Sequence, residues 1–223
     1  MLREETVRAY IESTIQCETV ELKKLRERVD KLGLDHEEIF PCQVSFLRTL
    51  LMSGEIRSVL ELGTFVGYST LNFVECLDAL GGGNLVTIDR QASVSEEARR
   101  VIYRTSRKTL VEFIVGDAGE YCDRLISWER QFDLIFLDVS EEDYPDLYDR
   151  CVPLLTNRGL LIVDNALMPT VAGWNSGDNV IEAPDAEGTI TALRALISRT
   201  RLDRRVVTSL LPIGSGLLLC RRV

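Results

Sequence analysis

No run of about 18 apolar residues occurs in the 223-residue chain, so no membrane-spanning helix is expected. The opening Met1-Leu-Arg-Glu-Glu-Thr6 is charged and lacks the apolar segment of a signal peptide. Basic residues are in deficit: 26 Lys and Arg stand against 35 Asp and Glu, for a formal net charge of −9. That balance argues against nucleic acid and anionic membranes as partners, since both need basic patches. The six cysteines (Cys17, Cys42, Cys76, Cys122, Cys151, Cys220) contain no C-x-x-C pair, which excludes the common zinc and redox motifs. Free buried thiols in a cytoplasmic protein are the expectation. Histidine occurs once, at His36, in the linker Gly33-Leu-Asp-His-Glu-Glu-Ile-Phe-Pro41. Internal repeats, low-complexity tracts and a second domain are all missing.

What is present is a strand–helix rhythm. Residues 3–32 carry an apolar stripe (Val7, Ile11, Ile15, then Leu22, Leu25, Val29, Leu32) amid charge, which predicts a cover helix ending at Gly33. A helix over 43–53 leads to an apolar strand, Ser58 to Leu62, which breaks at Gly63 and Gly67 and passes into a helix from Thr70 to Leu80. Further strands are expected at 84–89, 110–115, 132–138 and 159–165, with helices between them, one of them capped by Ser95. The run at 132–138 is almost wholly apolar, as in a central parallel strand covered on both faces. A long segment, 166–187, precedes a helix at 189–200 and a closing antiparallel hairpin, 205–211 and 216–221. The sum is a single α/β domain over 1–223: a doubly wound, Rossmann-like core from 43 onward, helices on both faces, and a helical cover segment at 1–42.

Ligands in such sheets sit at the carboxyl ends of the strands, where this chain places Glu61, Asp89, Asp117, Asp138, Asp164 and Asn165. The turn Glu61-Leu-Gly63-Thr-Phe-Val-Gly67 lacks the G-x-G-x-x-G spacing of a dinucleotide site, and no Gly-Lys-Ser/Thr follows it. A carboxylate at Glu61 would repel a pyrophosphate but suits a cationic ligand end. Asp89 suits a ribose diol, and Asp117-Ala118 could border an adenine. Ribose plus a cation without phosphate describes S-adenosylmethionine. Turn chemistry or helix capping would also account for Asp89 and Asp117.

Asp138 ends one expected strand and Asp164-Asn165 the next. Two carboxylates and an amide oxygen form a hard-donor set suited to Mg²⁺ or another divalent cation. An Asx-type turn at Asp164-Asn165 and a helix cap at Asp138 are the bland alternative.

With these residues in view, the chain resembles the cation-dependent O-methyltransferases of the catechol and caffeoyl-CoA type. The likeness runs from about Gln43 to the C-terminus. It rests on Glu61-Leu-Gly-Thr-Phe-Val-Gly-Tyr-Ser69, Ile88-Asp89, Phe132-Asp-Leu-Ile-Phe-Leu-Asp138, Val163-Asp-Asn165 and Leu211-Pro-Ile-Gly-Ser-Gly-Leu-Leu-Leu-Cys-Arg-Arg222. The resemblance implies a seven-stranded sheet with an antiparallel last strand, and often a homodimer. It implies cofactor contacts at Glu61, Gly63, Ser69, Asp89 and Ala118; Gly67, Tyr68 and Asp117, beside them in sequence, and Asp138, at the end of the fourth strand, complete the candidate cofactor-binding set. It implies metal ligands at Asp138, Asp164 and Asn165. A small hydroxylated acceptor is expected beneath the 168–187 loop, with Trp174, and the stretch around His36 to Phe40. The family has a lysine three residues after the first metal aspartate, where it helps deprotonate the acceptor; here Glu141 occupies that place. Asp138 and Glu141 are therefore the candidate catalytic residues. Metal-independent N- or carboxyl-methylation, and a cofactor-binding subunit without catalysis, stay open as alternatives.

Overall fold

The computed structural model describes residues 4–167 and 186–223. Among them, strands and helices alternate along the chain, and seven strands form one mixed sheet in the order β3-β2-β1-β4-β5-β7-β6. The chain divides into two compact units, residues 1–118 and 119–223.

The first unit opens with α1 (Glu4–Thr14), α2 (Val20–Leu32) and α3 (Pro41–Ser53). The single helix expected over 3–32 is thus two. Thr19 breaks it: its backbone is extended and its hydroxyl accepts a hydrogen bond from the Leu22 N–H, capping α2. Gly33 ends α2 in the left-handed conformation, as expected. Then follow β1 (Ser58–Leu62), α4 (Tyr68–Ala79), β2 (Asn84–Asp89), α5 (Ala92–Thr105) and β3 (Leu110–Val115). β1 pairs with β2 and β2 with β3, all parallel, and the register sets Glu61 opposite Thr87. Ser95 does not cap α5. The helix starts three residues earlier, because the Asp89 carboxylate already takes the Gln91 N–H and turns the chain there. Ser95 Oγ is left buried and unpartnered inside the helix.

The second unit holds α6 (Ala118–Ser127), β4 (Phe132–Leu137), a 3-10 turn (Glu141–Asp143), α7 (Tyr144–Leu154), β5 (Leu155–Val163), α8 (Ala186–Leu202), β6 (Val206–Leu211) and β7 (Leu217–Arg222). β4 and β5 are parallel, whereas β7 runs antiparallel to both β5 and β6. Leu134 to Leu137 and Leu161 to Val163 are buried, which accounts for their unbroken apolar sequence. β5 starts four residues before the expected Gly159. Both β4 and β5 end one residue before their aspartates, so Asp138 and Asp164-Asn165 stand just past the strand ends. All six cysteines are free and buried. No helix among the described residues is long and apolar enough to cross a membrane.

Candidate active site

In the first unit the glycine turn is built around two acids with different surroundings. Glu61 is completely buried. Its Oε1 accepts a hydrogen bond from Ser69 Oγ at 2.6 Å, and its Oε2 accepts from Thr70 Oγ1 at 2.5 Å and Thr87 Oγ1 at 2.6 Å. The carboxylate thus ties the first turn of α4 to β1 and β2. Burial pushes its pKa up from 4.5 to about 7, with the three hydroxyls pulling the other way. Asp89 lies nearer the surface and braces the turn itself. Its Oδ2 accepts the Thr64 and Phe65 N–H groups, both at 2.8 Å, and its Oδ1 accepts the Gln91 N–H at 2.7 Å. Oδ2 is saturated by two donors, but Oδ1 keeps a lone pair for one ligand hydroxyl.

Phe65 and both turn glycines have positive φ (46°, 100° at Gly63, 86° at Gly67). A Cβ on Gly67 would lie 2.7 Å from the Ala98 Cβ, so that glycine serves the packing of α4 on α5. Ser69 and Tyr68 fall inside α4. Tyr68 is buried and its hydroxyl donates to Glu18 Oε1 at 2.7 Å; Glu18 also receives two hydrogen bonds from Arg26. Tyr68 therefore anchors the helical cover segment to the cofactor helix. Asp117, after β3, is held by Arg90 at 2.6 Å, and Ala118 is buried at the start of α6.

In the cover segment, Phe40 precedes α3 and lies under the Arg8 guanidinium, 4.1 Å from the ring centroid. His36 bridges Glu38 (2.6 Å from Nδ1) and Asp30 (2.9 Å from Nε2). The hydrogen bond with Glu38, then that with Asp30, raises its pKa above 6.5. Because the chain has one histidine, an NMR pH titration reads it directly. The midpoint is expected above 6.5 and should fall toward that value in Glu38→Gln. An unchanged midpoint would mean that the clasp does not form in solution. Trp174 and the 168–185 stretch lie outside the described residues.

In the second unit, Asp138 follows β4 and is half-buried, and Glu141 follows in the 3-10 turn, also half-buried. Asp164 is buried; its Oδ1 accepts from Ser215 Oγ at 2.8 Å, and its N–H donates to Leu137 O at 3.0 Å. Asn165 is held at a φ of 56°, a left-handed conformation that asparagine tolerates. Among the described residues no three His, Cys, Asp or Glu side chains gather as a metal site, so the candidate donor set is two carboxylates plus the Asn165 amide. Such a set leaves coordination places for water or acceptor oxygens.

Tyr144 joins this cluster, although its place in the sequence marks no more than the start of a helix. It is fully buried at the first position of α7. Burial, followed by the Asp138, Asp164 and Glu141 carboxyls, raises its pKa well above 10, so the phenol keeps its proton. Its spacing carried no signal that separates it from a core aromatic. The hydroxyls of Thr70 and Thr87 were missed in the same way, because only the register brings them to Glu61.

Known proteins share this arrangement of strands. The O-methyltransferase TomG of Streptomyces achromogenes, solved with S-adenosylmethionine, superposes with a TM-score of 0.81 at 23% identity, covering 100% of both chains. An O-methyltransferase of Bacillus cereus, solved with S-adenosylhomocysteine, gives 0.80 at 20% identity over 97% of each chain. A caffeoyl-CoA O-methyltransferase of Stellaria longipes is 27% identical over 100% of this chain and 92% of its own. Residues 12–223 match the O-methyltransferase family model, a span that takes in the glycine turn, both acids that brace it and the aspartates past β4 and β5. The protein belongs to the O-methyltransferase family and is an S-adenosylmethionine-dependent O-methyltransferase.

Proposed function

We propose that the enzyme methylates a hydroxyl of a small molecule bearing neighbouring oxygen atoms, with the help of a divalent cation such as Mg²⁺. The observation that carries this reading is the all-oxygen set past β4 and β5: Asp138, the buried Asp164 and the Asn165 amide, with no lysine or arginine in the segment around Asp138, between Asp133 and Arg150. These hard donors fit Mg²⁺, and the set is open enough for acceptor oxygens to complete it. When bound there, the cation offsets the carboxylate charge and lowers the pKa of an acceptor hydroxyl. Caffeoyl-CoA O-methyltransferases among the relatives support an acceptor of this oxygen-rich kind.

The residues of the chain divide the remaining work. The glycine turn and the spare lone pair of Asp89 Oδ1 hold the nucleoside part of the methyl donor, and the Asp89 carboxylate disfavours phosphate-bearing competitors there. Ser215 fixes the Asp164 carboxylate by donating to its Oδ1. Glu141 stands where related enzymes have lysine. As a carboxylate it can accept the proton of the acceptor hydroxyl, but it supplies no positive charge to the oxygen that forms. That exchange shifts the burden of charge stabilisation onto the cation.

The test is S-adenosylhomocysteine formation with 1,2-dihydroxyarenes as acceptors. Turnover should vanish after treatment with EDTA and return with added Mg²⁺. Undiminished turnover in the stripped protein would overturn the metal role and favour metal-independent N- or carboxyl-methylation.

A further inference from the structure

A buried hydroxyl without a partner costs about 1–3 kcal/mol, and native structures contain few of them. The Tyr144 hydroxyl is one: the side chain is fully buried, and the hydroxyl makes no hydrogen bond of full geometry. Its surroundings are specific. The carboxyls that act on it are those of Asp138, Asp164 and Glu141, and the Asn165 side chain stands beside it short of a good hydrogen bond. Tyr148, one turn further along the same helix, offers a direct contrast. It is buried too, yet its hydroxyl donates to Asp203 Oδ2 at 2.9 Å. Packing alone would be served by phenylalanine, which the neighbouring strand uses at Phe132 and Phe136.

We propose that Tyr144 is a positioning residue for the cation site: its buried hydroxyl, without a partner in the metal-free protein, donates to the Asp138, Asp164 and Asn165 oxygen set when a hard divalent ion is bound and holds those oxygens toward it. The proposal rests on the metal-dependent reading above. A ligand carboxylate that gives one oxygen to a cation keeps the other to accept a hydrogen bond, and that bond fixes the rotation of the group. A neutral phenol suits the place, because it donates without adding negative charge to an acidic cluster. The amide of Asn165 gains equally, since a donor at its oxygen resists the flip that would turn its NH₂ toward the ion.

The experiment titrates Mn²⁺ into the metal-stripped full chain by calorimetry, comparing wild type, Tyr144→Phe and Tyr148→Phe. Tyr144→Phe should bind Mn²⁺ about 10–100-fold more weakly. Its metal-free melting temperature should stay level or rise, because the lost hydroxyl had no partner. Tyr148→Phe should do the reverse, melting lower while binding Mn²⁺ like wild type. The proposal is overturned if Tyr144→Phe binds Mn²⁺ within twofold of wild type, or if both variants lose affinity only in step with lost stability. Should wild type itself take up no Mn²⁺, the metal-dependent reading falls and this proposal with it, an outcome distinct from the other two.

Discussion

Asp164→Asn is expected to lower turnover about a thousandfold at fixed Mg²⁺, equivalent to about 4 kcal/mol of lost transition-state stabilisation. The substitution is nearly isosteric, and the amide oxygen can still accept the Ser215 hydroxyl, so the fold should be retained. What is lost is one of two full negative charges in the donor set. Asp138→Asn should behave alike, and excess Mg²⁺ should restore part of the loss in each. The thermal shift produced by S-adenosylhomocysteine should persist in Asp164→Asn, because the donor turn lies elsewhere in the chain. Turnover within tenfold of wild type at low Mg²⁺ would remove Asp164 from the metal set.

The second large effect is expected at Glu61. Replacing it with alanine strands the buried hydroxyls of Ser69 and Thr70 and takes one of two partners from Thr87, which keeps Thr64. At about 1–3 kcal/mol for each buried group left without a partner, the loss should reach several kcal/mol, a large share of a domain's stability. Glu61→Gln should be far milder and reveals a pH effect. With the carboxyl raised to about 7 in the folded protein, both states hold the proton below pH 4.5. Between 4.5 and 7 the folded state holds it while the unfolded state has lost it, so stability falls as pH rises through that window. Above it the full cost remains, roughly 3 kcal/mol. Urea unfolding at pH 5 and pH 8 should show a larger fall in wild type than in Glu61→Gln, where only other groups such as His36 still contribute. The same variant decides what Glu61 does for the cofactor. If the carboxylate braces the turn, S-adenosylmethionine affinity should change little. A loss of a hundredfold or more would give Glu61 a direct contact with the cationic end.

The departure at Glu141 bears on both the chemistry and the choice of acceptor. With a carboxylate in place of an amine, activity should depend more steeply on the cation, since no lysine or arginine lies between Asp133 and Arg150. Tyr144 matters for the same reason. In a cluster of acids, a neutral donor that keeps its proton can orient oxygens without competing with the ion.

The order of local patterns along the chain determined much of this protein. Apolar runs punctuated by acids and glycines marked all seven strands to within a few residues, and the spacing of the turn excluded phosphate-bearing cofactors. Strand ends carry that information locally, because an apolar run stops where the chain meets solvent or ligand. The break of the first helix at Thr19 was less visible, since the apolar stripe continues across it and only the cap geometry shows the stop. What each acid does was decided by the tertiary structure alone. Glu61 and Asp89 look equivalent as residues at strand ends. The register that sets Thr87 opposite Glu61, and the packing of α4, bury one acid among hydroxyls and leave the other bracing the turn with a lone pair to spare. Tyr144 shows the same division: its sequence position says only that a helix begins, and its burial among carboxyls exists only once β4, α7 and the end of β5 are folded. Burial and hydrogen-bond partners depend on residues far apart in the chain, and these set the charge and the role of a polar group.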